Sequence, residues 1–487
     1  MASFGAAFGA ASWCGQALVI AAIAWGAFAF GGVYPWAYWP LAAAAVLAGM
    51  LGIVAASERG SLELGPLTLA LALFAAAVAL QLVPVPSDYL RTVSAPTLEV
   101  VSTFDLSSHG SPERHALSIA PRLTATALAL FVSFSLLVVG SARLVTVRGP
   151  RAIAHAVAII GVLLAMAAIV QKPLLADKIY GLWTPMEGRN PFGPFVNKNH
   201  FAGWMTMALP VTLGLVSGSI AKGMRHVKPA FRDRVLWLTS ADASRLLLLA
   251  GAALVMALSL VLTLSRSGIA ATLLALTLAG VVTLRRQRSA GRRRIVTAYV
   301  GLLALAVAAW VGVDTIVGRF AETDWNGLNN RWGAWTDAAR IASTFPLTGT
   351  GLNTYGVATL FFQQHDLAHY YSAAHNDYLQ LAAEGGLLLV VPAVLAVAAL
   401  GTVVWKRFRE ETSTSGYWIR VGAVTGVAAV ALQETVEFSL QMPGNAVLFA
   451  ILCGIALHGS PARAPREKYP VLVDSVAAGH YAQRRAR

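Results

Sequence analysis

Charged residues are scarce in this chain. Only 12% of its 487 residues are Asp, Glu, Lys or Arg, while 57% are hydrophobic. An ordinary soluble protein carries about 25% charged residues. The shortage of charge therefore argues against a soluble globular protein and predicts an integral membrane protein.

Cysteines are almost absent, since the chain has only Cys14 and Cys453. Both fall within long apolar runs, which excludes a disulfide framework and a cysteine metal site. The first apolar run also lacks a basic segment before it and a convincing cleavage site. We therefore interpret this run as the first membrane span and not as a signal peptide.

Apolar runs long enough to cross a hydrocarbon core of about 30 Å recur along the whole chain. Backbone groups in lipid must be satisfied internally, and these runs lack the period-two alternation of barrel strands, so helices are expected. The predicted fold is an all-α integral membrane protein with about twelve transmembrane helices. The predicted spans are 13–31, 39–56, 66–84, 123–142, 152–171, 200–220, 245–264, 267–284, 295–313, 383–405, 418–438 and 444–458.

Lys and Arg concentrate in alternate connections, which places both termini in the cytoplasm. The net charge of +14 is then a topology signal, because the basic residues lie in short loops and not on one face that could bind nucleic acid. The chain divides into four parts: helices 1–9 (1–313), an outside loop (314–382), helices 10–12 (383–460) and a basic cytoplasmic tail (461–487).

Three predicted outside segments are long, at 85–122, 172–199 and 314–382. The last is rich in Trp, Tyr, His and Asn, a composition that argues against disorder. Within it, the pattern predicts an amphipathic surface helix from Arg331 to Phe345, ended by Pro346. Long ordered loops usually carry function, so we expect the active groups here.

Two arginines near predicted membrane boundaries are candidates for binding an anion, since charge at membrane depth is costly. Arg266 lies in LTLSRSG, where two apolar runs meet with almost no loop, and Arg331 begins the predicted surface helix. Trp335 lies one turn after Arg331 and shares its face. Arg grips phosphate oxygens through two parallel hydrogen bonds. The competing interpretations are a snorkelling side chain for Arg266 and an interfacial anchor for Arg331.

Three histidines lie in HDLAHYYSAAHNDYLQ, and one of them is a candidate base. His365 and His369 have the i,i+4 spacing of zinc ligands, but no matching cysteine or well-placed carboxylate completes a site. His375 stands directly before a long helical run, where a neutral imidazole would accept a proton from a hydroxyl. A helix-terminal His, with Asn376 or Asp377 as the cap, is the alternative.

Two further polar groups are candidates for substrate contact. One precedes the sixth span and consists of Asn197, Asn199 and His200 beside Lys198, although helix capping explains the asparagines about as well. The other is Glu434 and Glu437, three residues apart near the end of the eleventh span. We interpret these glutamates as counter-ions to the arginines or as groups that position the acceptor.

Several motifs resemble the O-antigen ligase and polymerase superfamily of polytopic membrane glycosyltransferases. The resemblance runs from about residue 190 to 460 in the family's order, and each motif alone is weak. The segments that carry it are GPFVNKNHFAG, LSRSG, NRWGAWTDAARIASTFPLTGTGLNTYG, HNDYLQLAAEGG and EFSLQMPGNAVLFA.

The resemblance implies a GT-C-like, metal-independent transferase without a cofactor, in the bacterial inner membrane. Its donor would be a glycan on undecaprenyl diphosphate at the periplasmic face, and its acceptor lipid A-core or a second lipid-linked glycan. It implies that Arg266 and Arg331 hold the diphosphate and that His375 activates the acceptor hydroxyl. The expected substrate-binding residues are Asn197, Asn199, His200, Trp335, Asn376 and Glu437.

Three alternatives stay open. Within the family, an O-antigen or exopolysaccharide polymerase competes with a ligase. A transporter of lipid or anion would show an inverted repeat and functional charges on both sides of the midplane, neither of which is evident. A zinc-dependent membrane hydrolase would place a metal at His365 and His369.

The orientation gives a direct prediction. Cysteine labelling from outside should reach a probe placed at Thr323 and miss one placed at Ser289, because the first lies in the outside loop and the second between basic residues on the cytoplasmic side. The reverse pattern would contradict the orientation and the periplasmic site with it.

Overall fold

The structure is a computed structural model that describes most of the chain. Its described ranges are 2–56, 64–104, 113–175, 178–185, 190–223, 239–286 and 325–459, with single residues at 232, 294, 297, 298 and 301. Most of the predicted ninth span (295–313), most of the basic segment 285–294 and the tail 461–487 lie outside the described residues.

Helices make up almost all of the described structure, and one two-stranded antiparallel pair joins β1 (Val85–Pro86) and β2 (Arg114–His115). The helices are α1 (Ala2–Phe28), α2 (Pro35–Ala55), α3 (Gly65–Gln81), α4 (Ser87–Phe104), α5 (Pro121–Arg148), α6 (Arg151–Leu175), α7 (Lys198–Gly223), α8 (Ala241–Leu262), α9 (Arg266–Arg286), α10 (Trp325–Thr344), α11 (Tyr355–Phe362), α12 (Asp377–Glu410), α13 (Thr414–Gln433) and α14 (Pro443–Leu457).

Nine of the helices in the described ranges are long and apolar enough to cross a membrane, and α3 and α14 are shorter apolar helices. Every predicted span other than the ninth overlaps one of these helices. The prediction of an all-α polytopic membrane protein is therefore confirmed. We call one end of the bundle the site end. It is formed by the end of α13 and by the starts of α7, α12 and α14.

Some helix boundaries differ from the prediction. The helix expected over 331–345 begins six residues earlier, at Trp325. In a helix, an Asn residue costs a few tenths of a kcal/mol and a Gly about 1 kcal/mol, and these costs are too small to stop the helix. The tenth predicted span starts earlier, at Asp377, since the Asn376 side chain caps it. The eleventh ends earlier, at Gln433, before two glutamates.

Glycines allow α7 and α13 to pack closely. A Cβ atom on Gly422 would lie 2.4 Å from the carbonyl oxygen of Pro210, and one on Gly426 would lie 2.6 Å from that of Met207. Small residues at such crossings let helix backbones approach in a bilayer. This crossing holds the start of α7 beside the segment that follows α13.

A kink in α12 joins this helix to the loop before it, which keeps the name outside loop from its predicted location. Four backbone hydrogen bonds connect residues 346–351 with residues 383–388. Gly386 has a φ of 51°, and a Cβ there would lie 2.7 Å from the carbonyl carbon of Leu347. Glycine is required at this position because both the left-handed backbone and the close contact exclude a side chain.

A buried carboxylate completes this junction. Glu384 accepts hydrogen bonds from the backbone N–H groups of Asn353 (2.7 Å) and Tyr355 (2.9 Å). The amide of Gln81, at the end of α3, donates to the carbonyl oxygens of Thr348 and Glu384. The turn after α10 is thereby held between two transmembrane helices.

The opposite end of the bundle has its own charged cluster. Arg420 is fully buried and donates to the carbonyl oxygens of Ala456 and His458, where α14 ends. It also pairs with Glu411 at 2.8 Å. A cation at a helix C-terminus satisfies its free carbonyl groups, so this cluster ties α12, α13 and α14 together.

The crossing of α7 and α13 predicts that two Gly→Ala substitutions change the melting temperature differently. Gly422→Ala should lower the apparent melting temperature of the purified protein, because overpacking costs about 1–3 kcal/mol. The matched control is Gly251→Ala in α8, where a Cβ meets nothing within 4 Å and the better helix propensity of Ala makes the change neutral or stabilising. Equal melting temperatures for the two variants would contradict the close crossing.

Candidate active site

The candidate site is built where the long segments meet at the site end. The connection before α5 reaches the outside loop through the hydrogen bond from Ile119 N–H to the carbonyl oxygen of Thr350, 2.9 Å long. The segment before α7 and the outside loop both reach the turn that follows α13. Residues far apart in sequence therefore share one end of the bundle.

Glu437 is the centre of this site. Its side chain is 1% exposed, and its Oε1 accepts hydrogen bonds from Arg331 Nη2 at 2.5 Å and from Asn199 Nδ2 at 2.8 Å. Its Oε2 lies 3.7 Å from His375 Nδ1. Within the described part of the chain, neither Glu437 Oε2 nor His375 Nδ1 has a hydrogen-bond partner. One carboxylate thus faces a guanidinium and an imidazole.

His375 is held from several sides. It lies just before Asn376, whose side chain accepts hydrogen bonds from the backbone of Tyr378 and Leu379 at the start of α12. Its own carbonyl oxygen accepts a hydrogen bond from Trp335 Nε1 at 3.2 Å. Its φ is 52°, a left-handed conformation that is uncommon for a residue with a side chain and concentrates at functional sites. Its ring remains 27% exposed, so a substrate can reach it.

Phe438 separates His375 from a second histidine. The ring centroids of both His375 and His200 lie 4.8 Å from that of Phe438, in edge-to-face contact. His200 is buried in the first turn of α7, and its Nε2 has no hydrogen-bond partner among the described residues. Asn197 caps this turn through its Oδ1, which accepts from Asn199 N–H.

The two glutamates after α13 have opposite electrostatics although both are buried. Burial favours the neutral form of Glu437, but His375, Arg331 and His200 outweigh it and lower the pKa of this carboxyl. Burial and the neighbouring Asp377 carboxylate instead raise the pKa of Glu434 far above its usual range. Glu437 is therefore the ionised member at neutral pH and Glu434 the protonated one.

Arg266 lies at the same end of the bundle on a neighbouring helix. It is the exposed first residue of α9. Two residues later, Gly268 packs against α7, because its carbonyl oxygen accepts a hydrogen bond from Thr206 and a Cβ there would lie 2.8 Å from that of Ala202. The start of α9 is thus placed beside the first turns of α7.

The structure therefore brings most of the predicted site residues into one cluster: Asn199, His200, Arg331, Trp335, His375 and Glu437. Asn197 and Asn376 lie beside it, with their side chains engaged in capping helices. Phe438 and the buried Glu384 were missed. A carboxylate inside the apolar run DYLQLAAEGGLLLVV was the available signal for Glu384.

The other two histidines of the outside loop are bound elsewhere. His365 Nδ1 lies 2.9 Å from the buried Asp337, which also pairs with Arg340 at 3.2 Å, as their i,i+3 spacing predicts. His369 Nδ1 lies 2.9 Å from Asp366. Each histidine thus has a carboxylate partner of its own, which the sequence did not indicate. Over the part of the chain that the structure describes, no group of three or more His, Cys, Asp or Glu residues is placed to hold a metal ion.

An apolar cavity lies between α9, α12 and α13, toward the opposite end of the bundle. The described residues that line it include Val282, Trp405, Phe408 and Val421, and none of those described carries a carboxylate, imidazole or guanidinium. The cavity is therefore separate from the Glu437 cluster and lacks the groups for acid–base chemistry.

A family model described as O-antigen ligase matches residues 251–394. This stretch contains Arg266, Arg331 and His375, while Asn199 and Glu437 lie outside it. Among curated proteins, no sequence matches the chain.

The buried ion pair gives a pH-dependent prediction. Because the pKa of Glu437 is lowered on folding, its stabilisation is complete above the unfolded value of about 4.3 and is lost as the pH falls through the folded pKa. At neutral pH, Glu437→Gln should cost about 1–3 kcal/mol, less than a fully buried pair because Arg331 is partly exposed.

The measurement is the difference in melting temperature between the native protein and Glu437→Gln, followed from neutral pH downward. This difference should start to shrink near the unfolded value of about 4.3, where the unfolded state begins to bind a proton, and should be lost once the pH falls through the lowered pKa of native Glu437. The exposed Glu99→Gln is the control and should show little difference at any pH. A difference that stays constant with pH would show that Glu437 is not ionised in the folded protein.

Proposed function

We propose a function for this chain from its match to a family model described as O-antigen ligase, which covers residues 251–394 and supports membership of the O-antigen ligase and polymerase superfamily. That domain supports a glycosyltransferase-like role in cell-surface polysaccharide biosynthesis. The specific proposal is transfer of a glycan from undecaprenyl diphosphate to an acceptor hydroxyl at the periplasmic face of the bacterial inner membrane. The observation that carries it is the pairing of Arg331 and His375 with one buried carboxylate.

In this proposal His375 is the general base. The acceptor oxygen attacks the anomeric carbon of the donor, and the bond between that carbon and the diphosphate oxygen breaks. The hydroxyl proton moves to the imidazole nitrogen that does not face Glu437. A positioned base of this kind contributes about 10²–10⁴-fold to a rate.

Glu437 would position the base and stabilise its protonated form. The Nδ1 atom of His375 faces the carboxylate at 3.7 Å, and this negative charge favours a proton on that nitrogen. The opposite nitrogen is then free to accept a proton. When His375 becomes an imidazolium, the nearby negative charge favours it.

The arginines would bind the leaving group. The electron pair of the broken bond departs with the undecaprenyl diphosphate, so negative charge increases on its oxygens. Arg331 is 29% exposed and already oriented by Glu437, and Arg266 projects from the start of α9. Fixed cations stabilise such developing charge without reorganising, which supports a metal-independent transfer.

The proposal is tested by incubating the purified protein with a lipid-linked oligosaccharide in the presence of EDTA, with and without lipid A-core. Glycan attached to the core identifies a ligase, and longer lipid-linked chains identify a polymerase. We favour the ligase. No transfer to either acceptor, or transfer that requires added zinc or magnesium, would contradict the proposal.

The first prediction concerns the base. His375→Ala should bind the lipid-linked donor as the native protein does but transfer glycan about 10²–10⁴-fold more slowly. His365→Ala and His369→Ala are matched controls, since these side chains pair with Asp337 and Asp366 away from the Glu437 cluster. A fully active His375→Ala protein would remove the base from the mechanism.

The second prediction concerns the phosphate contact. Arg331→Lys should weaken donor use by about tenfold or more, because Lys lacks the planar fork that grips phosphate oxygens. Arg266→Lys should behave alike, and Arg340→Lys is the control because this arginine pairs with Asp337. Membrane insertion and expression should stay unchanged. Normal transfer by both variants would identify the two arginines as membrane anchors.

A further inference from the structure

Five aromatic side chains from two separate segments meet at the site end. Phe30 and Tyr34 come from the connection between α1 and α2, Trp36 comes from the first turn of α2, and Tyr180 and Trp183 come from the segment after α6. The ring of Phe30 is central, with the other four ring centroids 5.7–6.3 Å away in edge-to-face contact. We call these five residues the aromatic platform.

Polar bonds and unusual backbone conformations fix the aromatic platform. Trp183 Nε1 donates to the hydroxyl of Tyr34 at 2.9 Å, and the hydroxyl of Tyr180 donates to the carbonyl oxygen of Phe28 at 2.6 Å. Phe30 and Tyr180 have φ values of 57° and 54°. Left-handed backbone is costly for bulky residues and is retained mainly where the surroundings impose it, often at ligand sites.

The rings stay accessible although they contact one another. Trp36 is 54% exposed, Trp183 45% and Tyr180 42%. Trp and Tyr also gather at membrane interfaces, where their amphipathic rings sit at the level of the lipid headgroups. Tyr180 and Trp183, however, lie on a connecting segment and are hydrogen-bonded within the protein, to Phe28 at the end of α1 and to Tyr34 just before α2.

The aromatic platform adjoins the candidate active site through one segment. Gly31 packs on the ring of Phe195, which would lie 2.9 Å from a Cβ at that glycine. Four residues later, Asn199 donates to Glu437. Gly32 packs against the backbone N of Gly444, at the start of α14. The platform and the Glu437 cluster therefore both contact the segment 191–199, through Phe195 and Asn199.

We propose that the aromatic platform binds sugar rings of the glycan substrate. A pyranose presents a flat face of C–H groups, which stacks on an aromatic ring, and a rim of hydroxyls, which can donate to a tyrosine hydroxyl oxygen. A site for extended glycan beside the reacting centre holds the chain while its terminal sugar reacts. The inference rests on the proposed function for its substrate, but not for its binding test.

The binding test uses lipid-free oligosaccharides and the full-length protein in nanodiscs. Saturation-transfer NMR with maltohexaose, cellohexaose and isomaltohexaose should show transfer to sugar C–H protons from the native protein. Trp183→Ala should weaken binding roughly threefold to tenfold, the effect of one lost aromatic contact, and Trp183→Phe should restore most of it. Trp405→Ala is the control, because this exposed tryptophan lies on α12 toward the opposite end.

The outcomes separate this inference from the proposed function. His375→Ala should bind the oligosaccharides like the native protein, since it lacks only the base. Binding that persists in a protein without transferase activity would support the platform and contradict the function. Active protein whose Trp183→Ala variant binds as the native protein does would overturn the platform and leave the function standing.

A membrane anchor would behave differently. With brominated lipids, which quench tryptophans in contact with acyl chains, the native protein and Trp183→Phe should show the same fractional quenching. Stronger quenching of the native protein would place Trp183 in lipid and overturn the inference, as would the absence of saturation transfer with all three oligosaccharides.

Discussion

The organisation of the site end depends on a single buried negative charge. Removing a carboxylate from water is costly unless cations and hydrogen-bond donors take the place of water. Glu437 obtains its partners from segments that are 106 and 238 residues away, through Arg331 and Asn199. The outside loop, the start of α7 and the end of α13 must therefore come together for this charge to be buried. Folding of the bundle and assembly of the candidate site are in this sense one event.

The neighbouring glutamate shows why environment decides the role of each carboxyl. Glu434 has almost the same burial as Glu437, but its near neighbour is Asp377 and not a cation. Glu434 is held neutral and Glu437 is held ionised. Glu434 is thus a potential proton donor and Glu437 a fixed anion, although they are only three residues apart. Both lie at the site end, near the base proposed for glycan transfer.

Much of the helical fold could be predicted from the sequence because the length of an apolar run directly reflects the thickness of the bilayer. Individual site candidates such as His375 and Arg331 could also be named, since charge and imidazole are rare near membrane depth. The pairing pattern could not be predicted. Nothing in the spacing of Glu434 and Glu437 distinguishes them, and the contact between Tyr34 and Trp183 joins residues 149 positions apart. Such contacts depend on how the helices cross. The crossings depend in turn on close backbone contacts at glycines such as Gly422, which the sequence does not reveal.

The kink of α12 has a mechanical consequence. At Gly386 the helix exchanges part of its internal hydrogen bonding for four bonds to the turn at residues 346–351. Separating turn and helix would break all four, at a net cost of about 0.5–1.5 kcal/mol each, and would strand their donors away from water. This turn therefore does not act as a hinged flap over the candidate site. Two of the four bonds lie before Gly386 and two lie after it, so the turn braces the kink and holds the angle between the two parts of α12.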